Sequence, residues 1–554
     1  MLIDGRALPD RAQLTTDLTI VGSGPAGLSM ADRLRSSGLS ICLLESGGYR
    51  PELATQQLYR GAVVGRPYFA LDGCRFRMFG GSSNRWGGWC RPLDPADFAS
   101  PAGSAWPGWP IDDADLLPYG ADVAALLELR DDEFDAAASS SQPRSGRLAF
   151  TDEDFEHTLV RFSPQTNFAR RYGQRVLDDP AITTVFHANV TELILEPGTS
   201  RLGAVRVQTL TGTAFTVHSR AIVLAAGGIE NPRLMLASNR SRGAGIGNEH
   251  DLVGRCFMEH IHAPAGHVQL TGHVEPPAFY RRTAADGEAV RNLIAPTGQA
   301  RRRHGLLACS FMVEPAVHNA YSTPYLGWPS RVTFPAATAY LKLKRHSPHV
   351  AEKLRRQTER LWYAGQRSRT GRAEQRARAL AASRLGSDPQ HLLALYARAE
   401  QCPSAASRVS LGSRRDALGL PRARLDWRLA EADTDSVSQW LARLDAGLRR
   451  SGQGRVVPPP EGWEARIIGG PHHMGTTRMS ADPRSGVVDA TCRVHSVDNL
   501  YVAGSSVFAT GGWANPTFSL VALSLRLADH LRTVLGAGRP PALDAAAQGR
   551  VPAP

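Results

Sequence analysis

Three glycines, Gly22-x-Gly24-x-x-Gly27, stand where the apolar run Asp17-Leu-Thr-Ile-Val21 gives way to a segment of helical periodicity. A second apolar run, Ser40-Ile-Cys-Leu-Leu44, ends one residue before Glu45. A loop of this kind can hold a pyrophosphate. Its first glycine permits the tight turn, its second lets the backbone approach the phosphates, and its third lets helix and strand pack closely. Free N–H groups at the helix start then point at the anion. Glu45 is placed to accept hydrogen bonds from an adenosine ribose. Isolated glycine turns are common, but strand, loop, helix, strand and acid in this order predict a dinucleotide site. NAD and FAD both use such a loop, and Glu45 followed by Ser46-Gly47-Gly48 favours FAD.

Three further segments stand far from this loop in sequence. One is Gly80-Gly81-Ser82-Ser83-Asn84-Arg85-Trp86-Gly87-Gly88-Trp89-Cys90-Arg91-Pro92. Another is Ala225-Ala-Gly-Gly-Ile-Glu230-Asn-Pro-Arg-Leu-Met-Leu236. The last opens with His472-His473-Met-Gly475-Thr476-Thr-Arg478-Met479 and continues through Asn499-Leu-Tyr-Val-Ala-Gly504-Ser505-Ser506 and Trp513-Ala-Asn515-Pro516-Thr517. Together with the loop they resemble the glucose-methanol-choline (GMC) family of FAD-dependent oxidoreductases, over most of the cofactor domain.

The resemblance implies that FAD binds at Gly22, Gly24, Gly27, Glu45 and Ser46, at Ala225, and at Gly504 and Ser505. The flavin would lie along Gly80, Gly81, Ser82, Asn84, Arg85, Trp86 and Gly87, with Asn84 hydrogen-bonded to it, and the backbone of Val190 would touch the adenine. The closer likeness is to pyranose oxidases and bacterial sugar or polyol dehydrogenases, whose C-terminal catalytic pair is His with Asn. In this sequence that pair maps to His472 and Asn515. Some pyranose oxidases hold FAD covalently through a histidine of the glycine-rich segment. The matching position here is Arg85, so non-covalent FAD is expected.

On this analogy His472 removes the hydroxyl proton of an alcohol while hydride passes to the flavin, because imidazole titrates near neutrality. Asn515 orients the hydroxyl, and Pro516 and Thr517 bring a helix start to the flavin. His473, Trp89 and Trp513 are candidates to line the substrate cavity; histidine as a structural partner and aromatics as packing are the competing readings. The His260/His262 pair would suit a metal on paper, but no further ligand cluster accompanies it. The expected activity is oxidation of C–OH to C=O on a sugar, glycoside or polyol-like small molecule. The alternative is a lyase or other flavoprotein of the same fold without net redox change. Oxygen, a quinone and a protein all stand as electron acceptors.

The elements that must position these residues predict an α/β fold. A Rossmann-like FAD-binding domain is assembled from 14–100, 180–261 and 465–538, and a substrate-binding domain of sheet plus helices from 101–179 and 262–464. In the latter, Val437, Trp440, Leu441, Leu444 and Leu448 mark an amphipathic helix. The Ser/Ala-rich stretch 136–143 reads as an exposed loop, and 539–554 as a flexible tail.

At 554 residues the chain exceeds one ordinary core. Its net charge of +12 is concentrated: thirteen Lys or Arg face three Glu between Leu341 and Ser387. That distribution argues against a protein built throughout to track nucleic acid. Within the basic stretch Val350, Leu354, Thr358, Leu361 and Trp362 share one helical face, with Lys353, Arg355, Arg356 and Arg360 around the others, which reads as a solvated helix surface, the alternative being a helix that lies on a membrane or an acidic partner. The seven scattered cysteines form no CxxC pair. With no apolar run of membrane length and no secretory core at the start, a cytoplasmic protein is expected.

Overall fold

Strands Gln13–Val21 and Ile41–Leu44 pair in parallel around helix Pro25–Arg33, giving the βαβ unit that the glycine spacing predicts. The helix is shorter than its pattern: Leu34 caps it, and the chain turns before Gly38 takes its left-handed conformation. In this computed structural model residues 1–536 are described apart from 102, 131–132, 135–145, 151–152, 165, 272–277, 281, 286–287 and 315–390. The basic stretch, the 136–143 loop and the expected tail therefore lie outside the described residues.

The βαβ unit is the centre of an eight-stranded sheet. Leu2–Asp4, Ile182–Phe186, Ile41–Leu44, Gln13–Val21 and Ala214–Leu224 run parallel in that order. Leu202–Gln208 and Asn189–Leu195 continue the sheet antiparallel, and Leu500–Val502 pairs in parallel with the end of Ala214–Leu224. The central stretches 18–21, 41–44, 221–224 and 500–502 are buried on both faces, so they read as near-continuous apolar runs; Leu18, Ile20, Leu43, Ile222 and Val502 are fully or almost fully covered. Helix Thr517–Val534 packs against Pro25–Arg33 and buries Phe518, Val521, Leu525, Ala528 and Leu531 along one stripe. Each of the larger apolar side chains contributes roughly 1.5–3 kcal/mol.

A second eight-stranded sheet is antiparallel. Its order is Gly454–Val457, Ile261–Leu270, Leu392–Ala399, Cys309–Glu314, Glu288–Pro296, Phe155–Phe162 and Trp89–Cys90, with Thr283–Ala285 beside Glu288–Pro296. Helix Glu431–Arg450 covers it and buries the five predicted apolar residues. Trp89–Cys90 joins this sheet although it directly continues the glycine-rich segment, because its backbone pairs with Phe162 and Arg161. A small third sheet sets Ala62–Gly65 parallel to Pro421–Trp427, which pairs with Arg408–Arg415. The Leu392–Ala399 strand reaches, through Arg398, the turn that precedes helix Thr517–Val534. Among the described residues no helix is long and apolar enough to cross a membrane.

Candidate active site

The two glycine segments meet at one wall of a cavity of about 640 Å³. Gly22 has φ +104°, and a Cβ there would stand 2.7 Å from the Ala225 carbonyl oxygen; one on Gly27 would lie 1.9 Å from the Gly22 oxygen. Gly24 has open space where a side chain would be, and Gly81 packs so closely behind it that a Cβ would lie 2.8 Å from the Gly24 Cα. Helices Pro25–Arg33 and Thr517–Val534 both begin at the cavity, and neither start carries a side-chain cap. A cradle open at Gly24, with two helix starts whose N–H groups lack side-chain caps, fits a dianionic dinucleotide.

Of the residues singled out in the sequence, the cavity is lined by Gly22, Gly24, Glu45, Ser46, Gly81, Ser82, Arg85, Trp86, Gly87, Val190, Ala225, Gly504, Ser505, His472, His473, Asn515, Pro516 and Thr517. Gly27 and Gly80 stand behind the wall and shape it. Asn84 is also absent from the lining: its Nδ2 donates to the Phe79 and Gly81 carbonyls at 2.9 and 2.8 Å, and its Oδ1 accepts from Asn167. Its amide is spent on the turn. Trp89 lies under the Arg398 guanidinium, 3.9 Å from the ring centroid, and Trp513 is buried with its indole N–H on Asp94, so both sit one layer out.

Glu45 lines the cavity, yet its carboxylate is largely occupied. Oε2 accepts from Ser23 N and Oγ, and Oε1 accepts from Gly47 N at 2.8 Å and from Ser46 Oγ. It ties the glycine loop to the following strand; a ribose hydroxyl would share oxygens already engaged.

At the other end, two bridging stretches bring the histidines together. Met258 and Met474 exchange backbone hydrogen bonds, as do His262 and Ile468, all at 3.0 Å. Between these ties Gly469, Gly470 and Pro471 bulge around Glu259, a fully buried acid. Glu259 accepts from Gly470 N at 2.9 Å, from His472 N at 2.9 and 3.0 Å, from His260 N, and from the Tyr68 hydroxyl. The bulge turns the His472 imidazole toward His260, with the two Nδ1 atoms 2.8 Å apart. Its Nε2 lies 3.0 Å from Asn515 Nδ2, and the Asn515 carbonyl oxygen accepts from Arg398 at 2.9 Å. His262 packs on the other side of His472, ring centroids 6.0 Å apart, and pairs across the strands with Arg398.

Burial holds the imidazoles neutral. It drives His472 well below the ordinary histidine value, helped by His260, His262 and Arg398, and pushes His260 down to about 4 and His473 to about 3. Burial also pushes the Glu259 carboxyl up to about 7, against the four donors that favour its charge. His473 faces Cys74 and Tyr68 and lies 4.0 Å from Glu259. Among the described residues no group of three His, Cys, Asp or Glu is arranged to hold a metal. The His260 ring instead makes hydrogen bonds at both nitrogens, to His472 and to the Gly511 carbonyl.

Glu259, Tyr68 and Arg398 were not reached from the sequence. Arg398 left a signal: it interrupts Leu-Leu-Ala-Leu-Tyr-Ala-Arg-Ala, a strand otherwise apolar enough to be buried. Glu259 left a weaker one, an acid wedged between Met258 and the His260/His262 pair.

A neutral imidazole beside a fixed amide, at the end of a dinucleotide cavity, is suited to taking a proton from a hydroxyl. GMC oxidoreductase models for the N-terminal and C-terminal parts match residues 170–262 and 403–524. The chain is 23% identical to 2-methyl-1,2-propanediol dehydrogenase of Mycolicibacterium austroafricanum, over 93% of this chain and 95% of that protein. It is 32% identical to 6'''-hydroxyparomomycin C oxidase of Streptomyces lividus over 25% and 24% of the two chains. The fold is similar to that of pyridoxine 4-oxidase from Mesorbium loti, with a TM-score of 0.53 at 17% identity, covering 93% of this chain and 98% of the other. GMC oxidoreductases bind FAD and act on C–OH groups, and by its two matched regions and its fold this chain belongs to the GMC oxidoreductase family.

Proposed function

We propose that this protein oxidises a C–OH group to C=O on a sugar, glycoside or polyol-like small molecule, with His472 as general base. The observation that carries the reading is the pair His472 Nε2 and Asn515 Nδ2, 3.0 Å apart at the cavity wall. The names of two relatives, a propanediol dehydrogenase and a hydroxyparomomycin oxidase, support a hydroxylated small molecule as substrate.

FAD, when bound, supplies the acceptor for the substrate's hydride. The chain's own part is proton handling and positioning. Gly22, Gly24, Gly81 and the two helix starts would hold the cofactor, with Val190 and Ala225 along the adenine side and Thr517 at the flavin side. A substrate hydroxyl entering between Asn515 and His472 would accept from the amide and donate to Nε2. Because burial keeps His472 neutral, Nε2 is available as acceptor at neutral pH. Arg398, held on Trp89 and bonded to Asn515, adds positive potential where negative charge grows on the substrate oxygen. Arg85 lines the cavity at the position where some relatives carry a linking histidine, which supports non-covalent FAD.

An anaerobic panel of sugars, glycosides, polyols and simple alcohols, read by bleaching of the flavin band, tests this. At least one sugar or polyol should bleach the flavin within seconds, with oxygen or a quinone restoring the colour. A yellow, FAD-loaded protein that no hydroxylated compound bleaches would contradict it.

A further inference from the structure

A chain of hydrogen bonds runs through the base and fixes its protons from both ends. At one end the Gly511 carbonyl oxygen, 3.1 Å from His260 Nε2, can only accept, so His260 Nε2 carries a proton. His260 is fully buried and neutral, which leaves its Nδ1 as a lone pair. The 2.8 Å contact between the two Nδ1 atoms needs one proton, so that proton belongs to His472. A neutral imidazole protonated at Nδ1 is bare at Nε2.

The other end gives the same answer independently. Arg398 can only donate, so the atom of Asn515 that faces it at 2.9 Å is the carbonyl oxygen. The amide NH2 is thereby turned toward His472 Nε2 at 3.0 Å, and a donor there requires Nε2 to be bare. His260 and Arg398 lie 138 positions apart in sequence, yet both require the same tautomer.

We propose that His260 is a positioning residue that locks His472 in its Nδ1–H tautomer and, through the shared hydrogen bond, spreads the charge His472 acquires. This rests on His472 being the base. In the step the substrate O–H bond breaks and an Nε2–H bond forms on His472. The electron pair left on oxygen becomes the second bond of C=O as hydride leaves carbon with its pair for the flavin. His472 then carries hydrogen on both nitrogens, and its Nδ1–H still points at the His260 lone pair. The cation is met by an acceptor that was in place before the reaction, so no regrouping is needed at the moment of proton transfer.

The test uses two His260 variants, with His472→Ala as the control, in the FAD-loaded protein. His260→Asn can place an amide oxygen near the position of Nδ1 and go on accepting from His472; His260→Leu cannot. Nitrogen NMR of the 15N-histidine-labelled protein, with the His472 signals assigned by their loss in His472→Ala, should show a bare Nε2 and a protonated Nδ1 in the wild type and in His260→Asn. His260→Leu leaves only the Asn515 amide to favour that tautomer and should show a measurable share of the Nε2–H form beside it. Anaerobic flavin reduction should slow by about a hundredfold or more in His260→Leu, the scale on which a catalytic histidine suffers from losing its orienting partner, and by less than about tenfold in His260→Asn. A protonated Nε2 in the wild type would overturn the inference without any variant. So would two variants slowed alike with the tautomer unchanged, or a His260→Leu protein with wild-type rate and spectrum. If His472→Ala itself reduces flavin at the wild-type rate, the base assignment fails instead, and the control keeps the two failures apart.

Discussion

Arg398 and Asn515 are joined by a 2.9 Å hydrogen bond that sets which face of the amide meets His472. The guanidinium is itself fixed over Trp89, so the order passes from the second sheet into the site. Arg398→Met keeps the apolar stem and removes the donor. The Asn515 oxygen then lacks this donor and the amide can turn its oxygen toward His472, where two lone pairs oppose. Loss of such a buried partner is worth about 1–3 kcal/mol. Stopped-flow flavin reduction should slow about tenfold or more while the ratio of flavin to protein absorbance stays at the wild-type value. A variant that loses FAD instead would place Arg398 in cofactor retention.

Gly470 is required by the bulge that turns His472. A Cβ there would stand 2.8 Å from His472 Nδ1 and 2.9 Å from His262 Cε1, closer than real contacts allow. Gly470→Ala should therefore push the imidazole off His260 and slow flavin reduction by about tenfold or more, with the FAD-binding end unaffected. A crystal structure of the variant should show the displaced ring; an unmoved ring with full activity would contradict the geometry.

His472 should stay neutral in mild acid. The His472 conjugate acid is held well below the usual histidine value by burial and by His260, His262, Arg398 and His473, with Glu259 and Tyr68 packed behind the same turn. A base with a depressed folded-state value stays neutral until pH falls through that lowered value. The 15N signals of His472 should therefore remain those of the neutral imidazole between pH 8 and pH 6, and a change in flavin reduction centred on about pH 7 belongs to the Glu259 carboxyl. Protonation of His472 itself with a midpoint at about pH 6.5, the ordinary histidine value, would show that the ring is not desolvated in the working enzyme.

Flavin attachment has a direct test. Arg85 can form no histidyl link, so acid precipitation should release all the flavin to the supernatant as FAD. Yellow pellet after washing would demonstrate another linkage. Replacing Gly24, whose missing side chain leaves the cradle open, with Val should lower the FAD content of the purified protein severalfold through crowding of the pyrophosphate.

The parts legible in the sequence are those whose chemistry is local. The glycine loop is read within six residues, because each glycine answers a backbone demand inside its own turn. His472 and Asn515 are read as a pair because their segments keep a recognisable order. What escaped is carried by contacts between distant segments. Glu259 acts on His472 through backbone N–H groups 211 and 213 positions away, and no periodicity encodes that. The His260/His262 alternation is visible, but only the Met258–Met474 and His262–Ile468 ties show that it belongs beside His472. Asn84 illustrates the opposite difficulty. A polar residue in a glycine-rich segment invites a ligand, while its amide is consumed by the turn that carries it.

The central claim is that His472 takes the substrate proton. His472→Ala should bind FAD with the wild-type spectrum and reduce it, under anaerobic single-turnover conditions with the best substrate of the panel, about a hundredfold or more slowly than the wild type. Flavin reduction at the wild-type rate in that variant would contradict the account.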